Sequence, residues 1–183
     1  MADIALLLGC LTPATVCAVT DLKTHLIYNK VTLPMLAAGL IYAAFAGRLQ
    51  DALLGMALGF GVIFVCVLMG GAGGGDAKLA AALGAWMGYR EAVWVLLIGA
   101  AVGVIWGSCK LFRQGELKKR YTLFLKGVFY RCVWGMKGTL ILPKLPEELD
   151  APVPRDAIPF GACLALAAWA VWGMMRLSFL CSI

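Results

Sequence analysis

The chain has 183 residues, of which 62% are hydrophobic and 14% are charged, and its mean hydropathy is +0.89. Because a water-soluble domain carries about 25% charged residues, this composition excludes a soluble enzyme and predicts an all-α integral membrane protein. The formal net charge of +6 indicates loops on the cytoplasmic side of a membrane rather than a surface for nucleic acid. The seven cysteines are scattered without a C-x-x-C pair and indicate neither a zinc site nor a disulfide framework.

Apolar segments predict six transmembrane helices within one polytopic domain over residues 1–183. A membrane-spanning helix needs about 20 apolar residues, with a range of about 17 to 25. The predicted spans cover approximately 4–20, 31–46, 52–69, 77–88, 92–112 and 158–180, and a polar loop covers 113–157. The fourth span reaches only about 20 Å at 1.5 Å per residue, so protein or a locally thinned bilayer must cover one of its ends.

Small residues recur at four-residue spacing along several of these spans. Faces of this kind allow helix backbones to approach each other closely in lipid. We expect most of these residues to serve helix packing. The clearest examples are Ala80/Gly84/Gly88, Gly55/Gly59 and Gly99/Gly103/Gly107.

Lysine and arginine are unequally divided between the two sides of the membrane that six spans define. All but three of the sixteen fall in or beside the loops at 21–30, 70–78 and 110–157, which share one side. Because lysine and arginine accumulate in cytoplasmic loops, this side is predicted to be cytoplasmic and both termini to lie outside. The pattern predicts a multi-pass protein of the inner (cytoplasmic) membrane.

Within the polar loop, residues 116–137 mix basic side chains with aromatic and aliphatic ones. This mixture predicts a basic amphipathic helix that lies on anionic lipid headgroups at 113–137. Lipid is therefore a predicted partner of the chain, and nucleic acid is not.

Two aspartates stand where predicted spans meet the cytoplasmic side. Asp21 ends the first apolar segment, and Asp76 follows a glycine run just before the fourth. An acid at the membrane edge costs free energy, so its presence there indicates a function. Two carboxylates brought together share a proton, so the ionised one can draw a proton from water while the protonated one hydrogen-bonds a peptide carbonyl. Asp21 and Asp76 are thus predicted to hydrolyse peptide bonds as a pair, with no cofactor and no metal.

The residues beside Asp76 have more than one interpretation. Gly73 and Gly75 offer a bare backbone that can lie close to an extended peptide, although a simple glycine hinge before a helix is the alternative. Lys78 is two residues past Asp76 and about 200° around a helix, so we expect it to face away from that acid. Snorkelling to the interface, an electrostatic effect on the site and substrate binding all remain open for Lys78.

The residues after Asp21 are polar. His25 and Asn29 follow it by four and eight residues and share its helical face if the helix continues, although solvation is the expected state of His25. Because His25 is the only histidine in the chain, His-rich metal sites and histidine proton relays are excluded. A Ser-His-Asp triad would need His25 with one of three serines, of which Ser178 and Ser182 are predicted on the opposite side of the membrane.

These residues resemble a known family. Asp21 with Asn29 eight residues later, and Gly73-Gly74-Gly75-Asp76-Ala77-Lys78 opening a helix, look like the type IV prepilin peptidases, membrane aspartyl proteases with a G-x-G-D signature. The helix core Ala81-Leu83-Gly84-Ala85-Trp86 and the segment Ile158–Gly161 are also similar to the family. The resemblance covers most of the chain except 113–157. It implies that Asp21 and Asp76 are catalytic and that the basic leader of a type IV prepilin-like substrate is cut on the cytoplasmic side, after a glycine.

The chain departs from the family pattern in two respects. Tyr28 stands before Asn29, where the family usually has proline. The larger members carry a cysteine-bearing cytoplasmic domain and also methylate the new N-terminus. Because this domain is missing from the sequence, we expect a peptidase without methyltransferase activity, similar to the short members that serve tight-adherence (Flp) pili. Presenilin-type proteases share G-x-G-D but carry their first aspartate after tyrosine, whereas Thr20 precedes Asp21 here.

Two other functional classes remain as alternatives. A small cation- or proton-coupled membrane transporter would also use acids in the membrane, but we would expect them near the midplane and with an inverted repeat, and the sequence has neither. A non-catalytic scaffold would use the basic segment at 113–137 to bind lipid or a secretion partner.

Overall fold

The computed structural model describes residues 2–68, 72–113 and 159–181, and all regular structure within these ranges is helical. This confirms the prediction of an all-α protein. One continuous stretch of helix contains α1 (Ala2–Leu6), a π-helical turn (Leu7–Leu11) and α2 (Thr12–Thr24). It is followed by α3 (Asn29–Phe45), α4 (Leu49–Leu68), α5 (Gly74–Met87), α6 (Tyr89–Arg113) and α7 (Phe160–Cys181).

Several of these helices suit a membrane by length and composition. Within the described ranges, four segments are long and apolar enough to cross one, namely Ile4–Thr24, Leu49–Leu68, Tyr89–Lys110 and Phe160–Leu177. The helix α3 is apolar but shorter, with 17 residues, and α5 has only 14. The chain is therefore an integral membrane protein that crosses the membrane several times. The count of six spans stays a prediction.

The short helix α5 lies at the centre of the helical bundle. Every residue from Leu79 to Met87 is buried, and α5 packs most extensively against α4 and then α3. This confirms that protein covers the short fourth segment. Small residues make the contact with α4 possible, because a Cβ on Gly55 would meet the backbone of Gly84, and a Cβ on Gly59 would meet that of Ala80. The predicted small-residue faces of α4 and α5 are thus packing faces.

Trp86, near the end of α5, fills a slot between two other helices. Side chains added at Gly9 or Gly39 would collide with its indole ring. Its Nε1–H donates to the carbonyl oxygen of Met35 at 2.8 Å, and its ring stacks on Tyr42 with centroids 5.4 Å apart. The buried indole thus has both a hydrogen-bond acceptor and an aromatic neighbour, which a tryptophan in a core needs.

Arg48, just before α4, and Asp51, in its first turn, bind backbone groups at the end of α5 and the start of α6. Arg48 Nη2 donates to the carbonyl oxygen of Trp86 at 2.9 Å. Asp51 Oδ1 accepts the backbone N–H of Tyr89 at 3.0 Å. Gly88 joins α5 to α6 with φ +94°, a conformation open mainly to glycine. Both side chains therefore cap helix ends, whose backbone groups lack partners within the helix.

Two helices next to the aspartates extend beyond the spans predicted for them. The first span continues past Asp21 to Thr24, so this acid lies inside a helix rather than at its end. The fourth begins at Gly74 instead of residue 77, so Gly74 and Gly75 are helical although the glycine run was expected to break the helix. The N–H of Gly73, immediately before α5, hydrogen-bonds the Asp76 side chain, which helps this first turn to form.

Cα proximity divides the chain into two compact units. The first contains Met1–Gly103 and Ala157–Ile183, and with them the contacts of α3, α4 and α5 described above. The second is Val104–Asp156, of which the structure describes 104–113, the end of α6. The predicted lipid-binding segment at 113–137 and the rest of the polar loop to 157 lie outside the described residues, apart from Arg113.

Candidate active site

Asp21 lies in the last turns of α2 and is 5% exposed. Its Oδ2 accepts the backbone N–H of Ala162, in the first turn of α7, at 3.2 Å. The backbone N–H of Gly161 also interacts with this carboxyl group. Free N–H groups at a helix start carry partial positive charge, so the start of α7 is a favourable place for a carboxylate.

Asp76 is the third residue of α5 and is 8% exposed. The backbone N–H of Gly73 donates to its Oδ2 at 3.0 Å, and this bond fixes the side chain over the first turn of the helix. The Gly73 N–H precedes the helix and lacks a partner within it, so this bond gives it an acceptor at the buried carboxylate.

The two carboxyl groups meet beside Gly161. A Cβ on Gly161 would lie 3.1 Å from Asp21 Oδ2 and 3.3 Å from Asp76 Oδ1. The two oxygens are thus no farther apart than the sum of these distances, a gap short enough for one or two water molecules to bridge. The structure therefore brings together the two aspartates that the sequence predicted as a pair, although they are far apart in the chain. Their catalytic roles stay predictions.

Burial changes the acidity of Asp76, which precedes the apolar part of α5 and lies outside the four candidate spans. Burial raises the pKa of its carboxyl group to about 6, and the N–H of Gly73 works against this rise. The neighbouring charge of Asp21 contributes further to the increase. A carboxyl group with such a pKa can both hold and release a proton near neutral pH, as acid–base chemistry requires.

Lys78 and Asn29 contact each other next to the aspartates. Lys78 Nζ donates to Asn29 Oδ1 at 2.9 Å. Asn29 is the first residue of α3 and α2 ends at Thr24, so the helix does not continue and the condition for a helical face shared with Asp21 is not met. The contact ties α5 to α3 at the end of the bundle where the aspartates lie. The sequence did not predict it, because 49 residues separate the two.

His25 differs from its expected solvated state. It ends α2 with φ +52°, in the left-handed region that L-residues seldom adopt, and its backbone N–H donates to the carbonyl of Asp21 at 2.9 Å. Its Nδ1 is buried without a hydrogen-bond partner among the described residues. After this turn, Ile27 lies against Gly75 in the first turn of α5.

The predicted glycines have different surroundings. Gly73 is exposed at the start of α5. Gly75 packs against the loop between α2 and α3, since a Cβ added to Gly75 would be 2.8 Å from that of Ile27. The residues that the sequence analysis missed are Ile27, Gly161 and Ala162. For α7 a signal existed: Pro159 marks a helix start, and span counting puts that start on the side of Asp21 and Asp76.

The model of the type IV leader peptidase family matches residues 6–108, a region that contains both aspartates. No solved structure matches the chain. Similar curated proteins carry the name prepilin leader peptidase/N-methyltransferase. One from Escherichia coli (strain K12) is 40% identical over 97 residues, which cover 48% of this chain and 43% of that protein.

Two further relatives carry the same name. One from Xanthomonas campestris pv. campestris is 31% identical over 164 residues, which cover 84% of this chain and 45% of that protein. One from Aeromonas salmonicida is 40% identical over 96 residues, which cover 48% of this chain and 33% of that protein. The chain spans less than half the length of each of these three relatives. Because the family model matches more than half of its residues, the chain belongs to the type IV leader peptidase family.

Proposed function

We propose that the chain is a membrane aspartyl endopeptidase that removes the leader peptide of type IV prepilin-like substrates. The observation that carries this proposal is the meeting of Asp21 and Asp76 at the start of α7. Two buried carboxyl groups at one helix start lower the stability of the chain, and a hydrolytic role would explain why both are placed there. The substrate class follows from the names of the relatives and from family membership.

In the proposed reaction the pair holds one proton and one negative charge. The ionised carboxylate takes a proton from a water molecule, whose oxygen then attacks the carbonyl carbon of the scissile peptide. The protonated carboxyl group hydrogen-bonds the carbonyl oxygen and stabilises the charge that develops there. Collapse of the tetrahedral intermediate breaks the C–N bond, and the amine leaves with a proton from the pair. Because two interacting acids titrate as a unit, neither aspartate has a fixed role.

The surroundings of the pair support this chemistry. Backbone N–H groups of α7 hold Asp21, and the N–H of Gly73 holds Asp76, so both carboxyl groups are oriented before substrate binds. Such preorganisation lowers the cost of reaching the transition state. Among residues near the pair, Asn29 and Lys78 are the proposed site-shaping or substrate-binding groups, together with Gly73 and Gly75.

The proposed side of action is the cytoplasmic face. The distribution of lysine and arginine supports it, because the loops on the side of Asp21 and Asp76 are the basic ones. A basic leader followed by an apolar helix would then approach the site from the cytoplasm while its helix stays in the bilayer. In this arrangement both termini of the chain lie outside.

The test is cleavage of a synthetic prepilin-type peptide, made of a short basic leader ending in glycine and an apolar helix of about 20 residues. Purified chain in lipid vesicles is incubated with it, and products are read by mass spectrometry. We expect Asp21→Asn and Asp76→Asn each to lower the rate at least about 10³-fold, as loss of a catalytic residue does. Asp51→Asn is the matched control, because Asp51 caps a helix at the other end of the bundle. The amide oxygen of the new asparagine can still accept the Tyr89 N–H. A normal rate in either site variant overturns the proposal.

A further inference from the structure

A four-residue turn joins α2 to α3. It contains His25, Leu26, Ile27 and Tyr28. Leu26 and Tyr28 are 52% and 47% exposed, whereas Ile27 is half-buried and packs against the core. The side chain between two outward-facing neighbours therefore points inward, toward the aspartates.

Ile27 occupies space left by two glycines. A Cβ on Gly75 would lie 2.8 Å from the Cβ of Ile27, and a Cβ on Gly161 would lie 2.6 Å from its Cδ1. Neither glycine could carry a side chain without moving Ile27. Because isoleucine is branched at Cβ and has few rotamers, it forms a firm wall between the starts of α5 and α7.

The terminal methyl of Ile27 borders the gap between the carboxyl groups. The same Cβ position on Gly161 that is 2.6 Å from Ile27 Cδ1 is 3.1 Å from Asp21 Oδ2 and 3.3 Å from Asp76 Oδ1. In the proposed reaction the scissile carbonyl must lie within reach of both oxygens. The methyl group therefore stands beside the position of that carbonyl.

The substrate residue immediately before the scissile bond supplies this carbonyl, and its side chain is the one that meets Ile27. Its Cα is one bond from the carbonyl carbon, about 1.5 Å away, whereas the Cα of the following residue is two bonds away. A hydrogen at that Cα takes little room. A methyl group or anything larger points into a space already bounded by Ile27 and by the starts of two helices.

We propose that Ile27 determines which residue is accepted immediately before the scissile bond, by leaving room there for glycine and excluding larger side chains. This inference rests on the proposed peptidase function. It makes Ile27 a specificity-determining residue, distinct from the pair that performs the hydrolysis.

The experiment compares two synthetic peptides that differ in one residue, glycine or alanine before the scissile bond. The readout is the ratio of their kcat/KM values, which a general loss of folded protein does not change. For the unchanged chain we expect the glycine peptide to be preferred about 10- to 200-fold, the usual discrimination for one methyl group that does not fit. Ile27→Val removes the Cδ1 atom alone and should lower this preference at least about fivefold. Ile27→Ala should lower it further.

Leu26→Ala is the matched control, since Leu26 is in the same turn but exposed, and it should keep the original preference. An unchanged ratio in both Ile27 variants, with the glycine peptide still cut, overturns the role of Ile27 and leaves the peptidase proposal standing. Loss of glycine-peptide cleavage in Ile27→Val also overturns it, because a shorter side chain cannot hinder glycine. If the unchanged chain cuts neither peptide, the proposed function itself fails.

Discussion

At the end of the bundle where α3 and α5 finish, Arg48 and Asp51 each bind a backbone group of a neighbouring helix. At the end where these helices begin, Asp21 and Asp76 are buried and face each other beside Gly161. At the first end the ionic side chains stabilise helix ends, whereas at the second end two carboxyl groups lie so close that both cannot ionise cheaply. The comparison separates a part of the molecule built for stability from one whose arrangement costs stability.

The largest effect that sharpens this comparison is expected from Gly161→Ala. The new methyl group would contact Ile27 Cδ1 and both carboxyl oxygens, all of which are ends of side chains that can move aside. The fold should therefore persist while the carboxyl groups are displaced, and we expect peptide cleavage to fall at least about 100-fold, as an ångström of misplacement can cause. Cleavage and circular dichroism of the purified variant check both parts.

The control for Gly161→Ala is Gly173→Ala in the same helix, where an added methyl meets nothing within 4 Å. This control should cut the peptide at the normal rate. The double variant Gly161→Ala/Ile27→Val should regain part of the activity, because it removes one of the three atoms that the methyl meets. Wild-type cleavage by Gly161→Ala alone would show that the space beside this glycine does not matter.

A smaller effect, on stability rather than chemistry, is expected from Gly55→Ala at the crossing of α4 and α5. A Cβ here would meet the backbone of Gly84 and Gly88, which cannot move aside as a side chain does. We expect a loss of about 1–3 kcal/mol or more in the free energy of unfolding, the usual cost of overpacking. Gly61→Ala, also in α4 but in open space, should leave the unfolding midpoint unchanged or slightly raised. Equal midpoints for the two variants would contradict the close crossing.

Asp76→Asn should change stability in the opposite direction, because it is expected to stabilise the chain while abolishing cleavage. The native pKa of about 6 exceeds the usual aspartate value near 4, so the native state binds a proton more readily than the unfolded state. Stability of the unchanged chain is then full below about pH 4 and declines as pH rises through about 6. The increase in pKa corresponds to a loss of about 3 kcal/mol at most in the free energy of unfolding, because relaxation of the native state reduces the full value.

The measurement is the thermal midpoint in detergent between pH 4.5 and 8 for the chain and for Asp76→Asn. The midpoint of the variant should exceed that of the chain above pH 7, and the difference should shrink toward pH 4.5. A difference that is constant across this range would indicate that the charge of Asp76 is not disfavoured in the native state.

Sequence reasoning predicted the features that depend on local hydropathy and on span counting. Apolar segment lengths predicted the all-α class, and the same counting assigned Asp21 and Asp76 to one side of the membrane. It failed at the ends of helices. The extension of α2 past Asp21 and the early start of α5 depend on hydrogen bonds and packing that a hydropathy pattern does not contain.

The neighbours of the two aspartates could not be predicted, because they depend on contacts between distant parts of the chain. Gly161 and Ala162 lie close to Asp21 although they are far from it in the sequence. The hydrogen bond from Ala162 to Asp21 joins residues that are 141 positions apart. Ile27 is one of several apolar residues in the mostly polar stretch 21–30, and its position beside two glycines follows from how three helices converge. The hydrogen bond from Lys78 to Asn29 likewise needs the packing of α5 on α3.

The hydrogen bond from Ala162 to Asp21 has a consequence for biogenesis. A ribosome makes the chain from its N-terminus, so Asp21 and Asp76 enter the bilayer long before α7 is synthesised. Until α7 inserts, Asp21 lacks the N–H groups that orient it, and the site lacks Gly161. The nascent chain therefore carries both acids without their neighbours from α7, and the proposed hydrolytic site is complete only once this last described helix is in place.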